Sequence, residues 1–145
     1  MYVFLGIGMI VLCVAIQCIV VSLMLRSLYI LDKKHLIRTS TFHSWMVHVA
    51  VLIILLTGNL LQAALWATMF LISGEFENFS TAFYHSLVNF TTLGYGDLVM
   101  SAERRILGAL EAANGVLMLG LTTSIIYWII NELWKRKKSN QDIRK

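Results

Sequence analysis

The sequence contains no proline and few charged residues. Of its 145 residues, 14% are charged and 58% are hydrophobic, and the mean hydropathy is +0.73. Soluble domains usually carry roughly 25% charged residues, so this composition excludes a soluble globular protein and indicates an integral membrane protein. Because proline interrupts helices, its absence favours continuous helices over the broken helices of many transporters.

Cysteine is also scarce, since only Cys13 and Cys18 occur. Both lie in the first apolar run, where a five-residue helical offset points them apart, so we expect apolar fillers rather than a disulfide or a metal site. The histidines have no metal-ligand spacing, and no nucleophile–base set is evident. The sequence therefore predicts no enzyme, no cofactor and no nucleic-acid partner. The histidines are His35, His43, His48 and His85.

Three long apolar runs predict three transmembrane helices, at residues 2–25, 45–72 and 106–134. Each is long enough, at about 1.5 Å per residue, to cross the ~30 Å hydrocarbon layer of a membrane. The first run has no basic residues before it and no clear cleavage site after it, which favours a retained helix over a secretory signal. Asn59 and Gln62 share one face of the second run and are predicted to hydrogen-bond a neighbouring helix.

A shorter segment, residues 79–91, lies between the second and third runs and is too short to span a membrane. It predicts a half-helix that dips in from the surface and delivers the loop Thr-Thr-Leu-Gly-Tyr-Gly-Asp at residues 91–97. Two glycines spaced by one residue allow the backbone to alternate between ordinary and positive φ, so that successive carbonyls point toward one axis. Such carbonyls can replace the water shell of a monovalent cation, but one loop supplies only one oxygen per ring.

The segment Thr92–Asp97, preceded by Thr91 and the amphipathic stretch, resembles the selectivity filter and pore helix of the potassium channel pore-domain family. The likeness covers Trp45–Trp134 and is nearest in character to small prokaryotic-type ion channels, here with an extra amino-terminal helix. It implies an all-α membrane protein with three transmembrane helices, a re-entrant pore helix and a filter loop, assembled as a homotetramer around a central pore. K+ would be coordinated at Thr92, Leu93, Gly94 and Tyr95, with Gly96 completing the filter.

The apolar runs, the basic residues and the resemblance together divide the chain into segments. They are an amino-terminal transmembrane helix (residues 1–25), a cytoplasmic loop (26–44), the ion channel pore domain (45–134) and a basic cytoplasmic tail (135–145). Within the pore domain, the outer helix is expected at 45–72, the pore helix at 79–91, the filter at 92–97 and the inner helix at 106–134.

Several residues are expected to support the filter, and some depart from the family pattern. His85 stands where the family often has a bulky aromatic residue, and it is a candidate donor to Asp97 whose protonation would make the filter sensitive to pH. Asn89 stands where threonine is common. Glu111 is costly in a membrane span unless it has a partner, and Asn89 or the backbone behind the filter are its expected partners. The expected filter-support residues are Thr91, Asp97, His85, Asn89 and Glu111.

Gly115 and Gly120 interrupt the third apolar run. By comparison with inner helices of the potassium channel family, Gly115 lies where a gating hinge is often found, and Gly120 is a second candidate. Small residues in membrane helices also serve close packing, and the sequence leaves both readings open. No span carries the repeated arginines of a voltage sensor.

Basic residues predict the orientation. Ten of the twelve Lys and Arg residues fall between the first two runs or after the third, which makes that side cytoplasmic and places the amino terminus outside and the carboxyl terminus inside the plasma membrane. The basic stretch Lys135–Lys138 is expected to anchor to lipid headgroups, with anionic lipid as a possible specific partner. The ten residues are Arg26, Lys33, Lys34, Arg38, Lys135, Arg136, Lys137, Lys138, Arg144 and Lys145.

The sequence thus predicts a potassium-selective ion channel that passes K+ passively through a tetrameric filter. Two alternatives remain open, a nonselective cation channel and a non-conducting membrane subunit that assembles with partners. The expected ligand is K+ itself, as the permeant ion, and the expected partners are further copies of the chain and membrane lipids.

Overall fold

The computed structural model describes residues 1–33 and 41–142, and all regular structure in that part of the chain is helical. Three of the helices are long and apolar enough to cross a membrane, over Tyr2–Ile30, Trp45–Ile72 and Arg105–Glu132. The fourth helix has 12 residues and lies between the second and third candidate spans. The predicted all-helical architecture with three spans is confirmed. In chain order the helices are α1 (Tyr2–Lys33), α2 (Thr41–Ile72), α3 (Phe79–Phe90) and α4 (Arg105–Asp142).

Helices α1 and α4 are longer than the sequence predicted. The first helix was expected to end at residue 25 and the inner helix at residue 134, but they continue to Lys33 and Asp142. Hydropathy marks where a segment leaves the membrane, whereas lysine, arginine, glutamine and leucine are good helix formers that extend a helix into water. Within the predicted loop at 26–44 and tail at 135–145, the described residues 26–33, 41–44 and 135–142 are therefore helical. Lys34, Arg38, Arg144 and Lys145 lie outside the described residues.

Helix α2 ends where a glycine reverses the backbone. Gly74 has φ 74°, and the Glu75 amide donates to the Phe70 carbonyl while the Gly74 amide donates to the Leu71 carbonyl. This arrangement satisfies carbonyls that the helix end leaves free, and glycine adopts the left-handed conformation without steric cost. The predicted stop of the second helix at Ser73–Gly74 is confirmed.

Two buried polar contacts join α2 to its neighbours, one to α1 and one to α4. Gln62 Nε2 donates to Gln17 Oε1 at 2.7 Å, and both side chains are fully buried. On the other side of α2, Asn59 Nδ2 donates to Thr122 Oγ1 of α4 at 3.2 Å. The prediction that Asn59 and Gln62 bond neighbouring helices is confirmed, and the two bonds fix α1 and α4 on α2.

An ion pair between Arg104 and Glu75 connects segments at the end of the molecule where α2 ends and α4 begins. Glu75 accepts from Arg104 Nη1 at 2.8 Å and from the Ser101 amide and hydroxyl at 2.8 and 2.6 Å. Arg104 also lies over the Tyr2 ring, 5.8 Å from its centroid. Burial raises the pKa of Glu75, but the hydrogen bonds from Ser101 and Arg104 outweigh this and hold the pKa below its ordinary value. The α2–α3 loop, the loop before α4 and the start of α1 are thus joined.

Candidate filter loop and its supporting helices

Helix α3 is positioned by caps at both ends. At its start, Asn78 Oδ1 accepts from the Thr81 amide at 2.9 Å and from the Thr81 hydroxyl at 2.8 Å. At its end, the Thr91 amide and hydroxyl both donate to the Leu87 carbonyl, at 3.0 and 2.7 Å. Such caps satisfy backbone groups that a short helix leaves free. The expected support residue Thr91 therefore caps the end of α3, where the loop at residues 91–97 begins.

The loop leaves the helix by turning back onto its last carbonyls. The amides of Thr92 and Leu93 donate to the carbonyls of Asn89 and Val88, at 2.8 and 2.9 Å. These bonds hold the first residues of the loop at the carboxyl end of α3, which carries the negative end of the helix dipole. A cation beside the loop would be attracted by that end.

The backbone of the loop alternates in handedness. Positive φ occurs at Thr92 (58°), Gly94 (59°) and Gly96 (74°), whereas Leu93 and Tyr95 between them do not share it. The sequence predicted this alternation at the two glycines. It did not predict positive φ at Thr92, which is unfavourable for a β-branched residue and persists only where the surrounding structure holds it.

Most of the loop is exposed in the single chain. Residues 91–97 are all exposed, with Leu93 at 55% and Tyr95 at 67%. An added Cβ at Gly94 or Gly96 would meet no atom within 4 Å. The space next to the loop is therefore open for further copies of the chain and for ions.

Tyr84, rather than His85, is the hydrogen-bond partner of Asp97. The Tyr84 hydroxyl donates to Asp97 Oδ2 at 2.7 Å, and this bond lowers the pKa of Asp97 below its ordinary value. His85 is 6% exposed, and its Nε2 atom lies 2.9 Å from Nδ2 of the Asn89 side chain. Adjacent helix positions differ by a rotation of about 100°, so the two side chains reach different residues: Tyr84 bonds the Asp97 carboxyl group, and His85 hydrogen-bonds the backbone of Leu98, the next residue.

We expect a Tyr84→Phe variant to raise the pKa of Asp97 toward that of an ordinary aspartate. The hydroxyl bond favours the ionised carboxyl group, and this stabilisation is complete above the ordinary pKa and is lost as pH falls through the lowered one. Carbon-13 NMR of the labelled Asp97 carboxyl group in lipid nanodiscs would measure the midpoint of its titration with pH. Tyr29→Phe, in α1, is the control, and an unchanged midpoint in Tyr84→Phe would contradict the assignment.

His85 is held between aromatic rings. Its ring centroid lies 5.7 Å from that of Phe70 in α2 and 4.9 Å from that of Phe76 in the α2–α3 loop. Because the Asn89 amide nitrogen is a donor, His85 Nε2 accepts and the ring proton resides on Nδ1. The structure thus places His85 and Asn89 together behind the loop.

One face of α4 packs directly against α3. An added Cβ at Gly115 would overlap the Phe90 carbonyl oxygen and lie 2.7 Å from its carbonyl carbon. An added Cβ at Gly108 would lie 3.0 Å from the Asn89 side-chain nitrogen. An added Cβ at Gly120 would meet no atom within 4 Å. Of the two hinge candidates, Gly115 is therefore in the close contact that only glycine permits, and Gly120 is not.

Glu111 lies on that same face, between the two glycine contacts. It is fully buried and hydrogen-bonds the hydroxyl group of Ser86 in α3, with Asn89 beside it. Asn89, which the sequence named as its expected partner, is a neighbour. Ser86 was not predicted, although its position three residues before Asn89 places it on the same side of α3.

Comparison with known proteins agrees with this geometry. A family model described as "Ion channel" matches residues 51–131, which include α3, the loop and most of α2 and α4. A stretch of 69 residues, 47% of this chain, is 33% identical to "Potassium voltage-gated channel subfamily A member 2" of Oncorhynchus mykiss. The match spans 14% of the length of that relative. No solved structure has a significant match to the chain.

Proposed function

We propose that this chain, which belongs to the ion channel family, forms a potassium-selective channel. Four copies would surround one axis, with the carbonyls of residues 92–96 lining a path for K+ and the Thr92 hydroxyl adding a ring at the inner end. The resemblance to potassium channel pore domains, first recognised in residues 91–97, is supported by the family match and by the name of the similar fish protein.

The observation that carries this proposal is the alternating backbone of the loop. In a regular strand, successive carbonyls point to opposite sides. Positive φ at Thr92, Gly94 and Gly96, without positive φ at the residues between them, allows the alternate carbonyls to turn back toward one side. A row of oxygens on one side of the loop is what a dehydrated cation needs from each of the copies around it.

The proposed orientation follows from charge. The loops on the side of α3 carry Glu75, Glu77, Asp97 and Glu103 against Arg104 and Arg105, which is 4 − 2 = 2 net negative charges per chain. Facing outward, this side would attract cations to the mouth of the pore. At physiological salt, the attraction between exposed charges is largely screened beyond about 8 Å. The basic end of α4, residues 135–138, would lie at the cytoplasmic face of the plasma membrane and contact anionic lipids.

Ion flux into liposomes tests the proposal. Purified protein in vesicles should pass K+ down a gradient and should discriminate strongly against Na+, with reversal potentials that follow the K+ gradient in mixed solutions. Equal passage of K+ and Na+ would identify a nonselective cation channel. The absence of any flux from correctly inserted protein would identify a non-conducting subunit and refute the proposal.

A further inference from the structure

A buried hydrogen-bonded group joins α2, α3 and α4 behind the loop. The Ser86 hydroxyl oxygen lies 2.6 Å from the Ala63 carbonyl oxygen of α2 and hydrogen-bonds Oε1 of Glu111 of α4. Ser86 and Glu111 are both fully buried. One serine side chain therefore connects three helices at a site without access to water.

The number of protons in this group fixes which atoms donate. Ser86 has one hydroxyl proton, and the Ala63 carbonyl has none to give. When Ser86 donates to Ala63, its bond with Glu111 requires a proton from the carboxyl group. With Glu111 ionised, Ser86 would have to donate to the carboxylate, and its oxygen would face the Ala63 oxygen at 2.6 Å with no proton between them.

The surroundings of Glu111 also disfavour a negative charge. Its neighbours on other helices are Ser86 and Asn89 of α3, whose side chains hydrogen-bond the carboxyl group, and the Cys13 thiol of α1, and none of them is a cation. His85 lies on the other side of Asn89, and its Nε2 atom is 2.9 Å from Asn89 Nδ2. Within the described residues, Glu111 Oε2 has no hydrogen-bond partner. An ionised oxygen without a donor or a counter-ion is far more costly to bury than a neutral one.

We propose that Glu111 is a protonated positioning residue, which donates its carboxyl proton to Ser86 while Ser86 donates to Ala63. The two bonds fix α3 between α2 and α4, and the neighbouring contact of Gly115 with Phe90 fixes its carboxyl end, from which the filter loop departs. Glu111 does not touch the permeating ion. It acts on ion selectivity, in the channel proposed above, by holding the helix that carries the filter.

The charge state is tested by infrared difference spectroscopy, without any need for ion flux. Wild-type protein in lipid nanodiscs at neutral pH should have the carbonyl stretching band of a buried protonated carboxyl group, and Glu111→Gln should lack it. Glu103→Gln, which removes an exposed acid, should leave the band in place. If the wild-type protein has no such band, or if the band survives in Glu111→Gln, the proposal is overturned.

The positioning role is tested by flux in liposomes. Glu111→Gln keeps a donor for Ser86 and should retain the K+ over Na+ ratio within about twofold, whereas Glu111→Ala and Ser86→Ala should lower it by about tenfold, because a buried bond is lost. A normal ratio in Glu111→Ala, or equal losses in the Gln and Ala variants, would refute this role. If wild-type protein passes no K+, the proposed function fails, while the infrared result still decides the protonation. If the Ala variants do not assemble, two results decide the proposal: the K+ over Na+ ratio of Glu111→Gln and the infrared band of the protonated carboxyl group.

Discussion

A Gly115→Ala variant is expected to lose K+ flux and to unfold at a lower temperature than wild-type protein. The added methyl group would overlap the backbone of Phe90, where α4 meets the end of α3. Backbone cannot move aside as a flexible side chain can, so α4 must shift away from the helix that carries the filter. Overpacking of this kind typically costs about 1–3 kcal/mol. Thermal unfolding in detergent and liposome flux would measure the two effects.

Gly120→Ala is the matched control on the same helix. An added Cβ there has no neighbour within 4 Å, and alanine favours a helix over glycine by about 1 kcal/mol. We therefore expect normal flux and a stability equal to or above that of the wild-type protein in this variant. The pair also separates close packing at Gly115 from bending at Gly120. Alanine at position 120 would restrict bending of α4 there without any clash. Normal behaviour of Gly115→Ala together with loss of flux in Gly120→Ala would contradict close packing at Gly115.

The second large effect is expected from Gly96→Ala, which should abolish discrimination between K+ and Na+. Gly96 has φ 74°, and a side chain in the left-handed region costs roughly 1–2 kcal/mol. In the proposed tetramer the penalty would apply in every copy. Since the loop packs against few atoms of its own chain, the backbone can relieve the strain by turning the carbonyl away from the axis. Reversal potentials in mixed K+ and Na+ solutions would measure the change.

Gly74→Ala provides the control for backbone strain alone. Its φ is also 74° and an added Cβ would meet nothing within 4 Å, but it lies in the turn after α2, away from the loop. This variant should lose a similar amount of stability and keep its ion selectivity. If Gly74→Ala and Gly96→Ala reduced selectivity equally, or if neither did, the alternating loop would not be the source of selectivity.

The sequence was most informative about features that repeat along the chain. Long apolar runs predicted three spans, and the paired glycines of residues 94–96 predicted positive φ within the loop. Asn59 and Gln62 were predicted to bond other helices, since polar side chains in an apolar run need partners, and they bond Thr122 and Gln17. Each of these inferences depends only on local composition or helical spacing.

The sequence was less informative about contacts between segments that are distant along the chain. Tyr84 and His85 are adjacent, and only the rotation of α3 against the loop decides which of them reaches Asp97. The role of Gly115 depends on how closely α4 approaches Phe90, which spacing alone cannot give. Ser86 is a small polar residue without a distinctive pattern, and its contact with Glu111 joins residues 25 positions apart.

The most direct test of this account is a cryo-electron microscopy map of the protein in lipid nanodiscs with K+ present. We predict four copies around one axis, with the carbonyls of residues 92–96 facing that axis and ion density between them. A map with a single copy, or with Tyr95 and its neighbours facing lipid and no density on an axis, would contradict it.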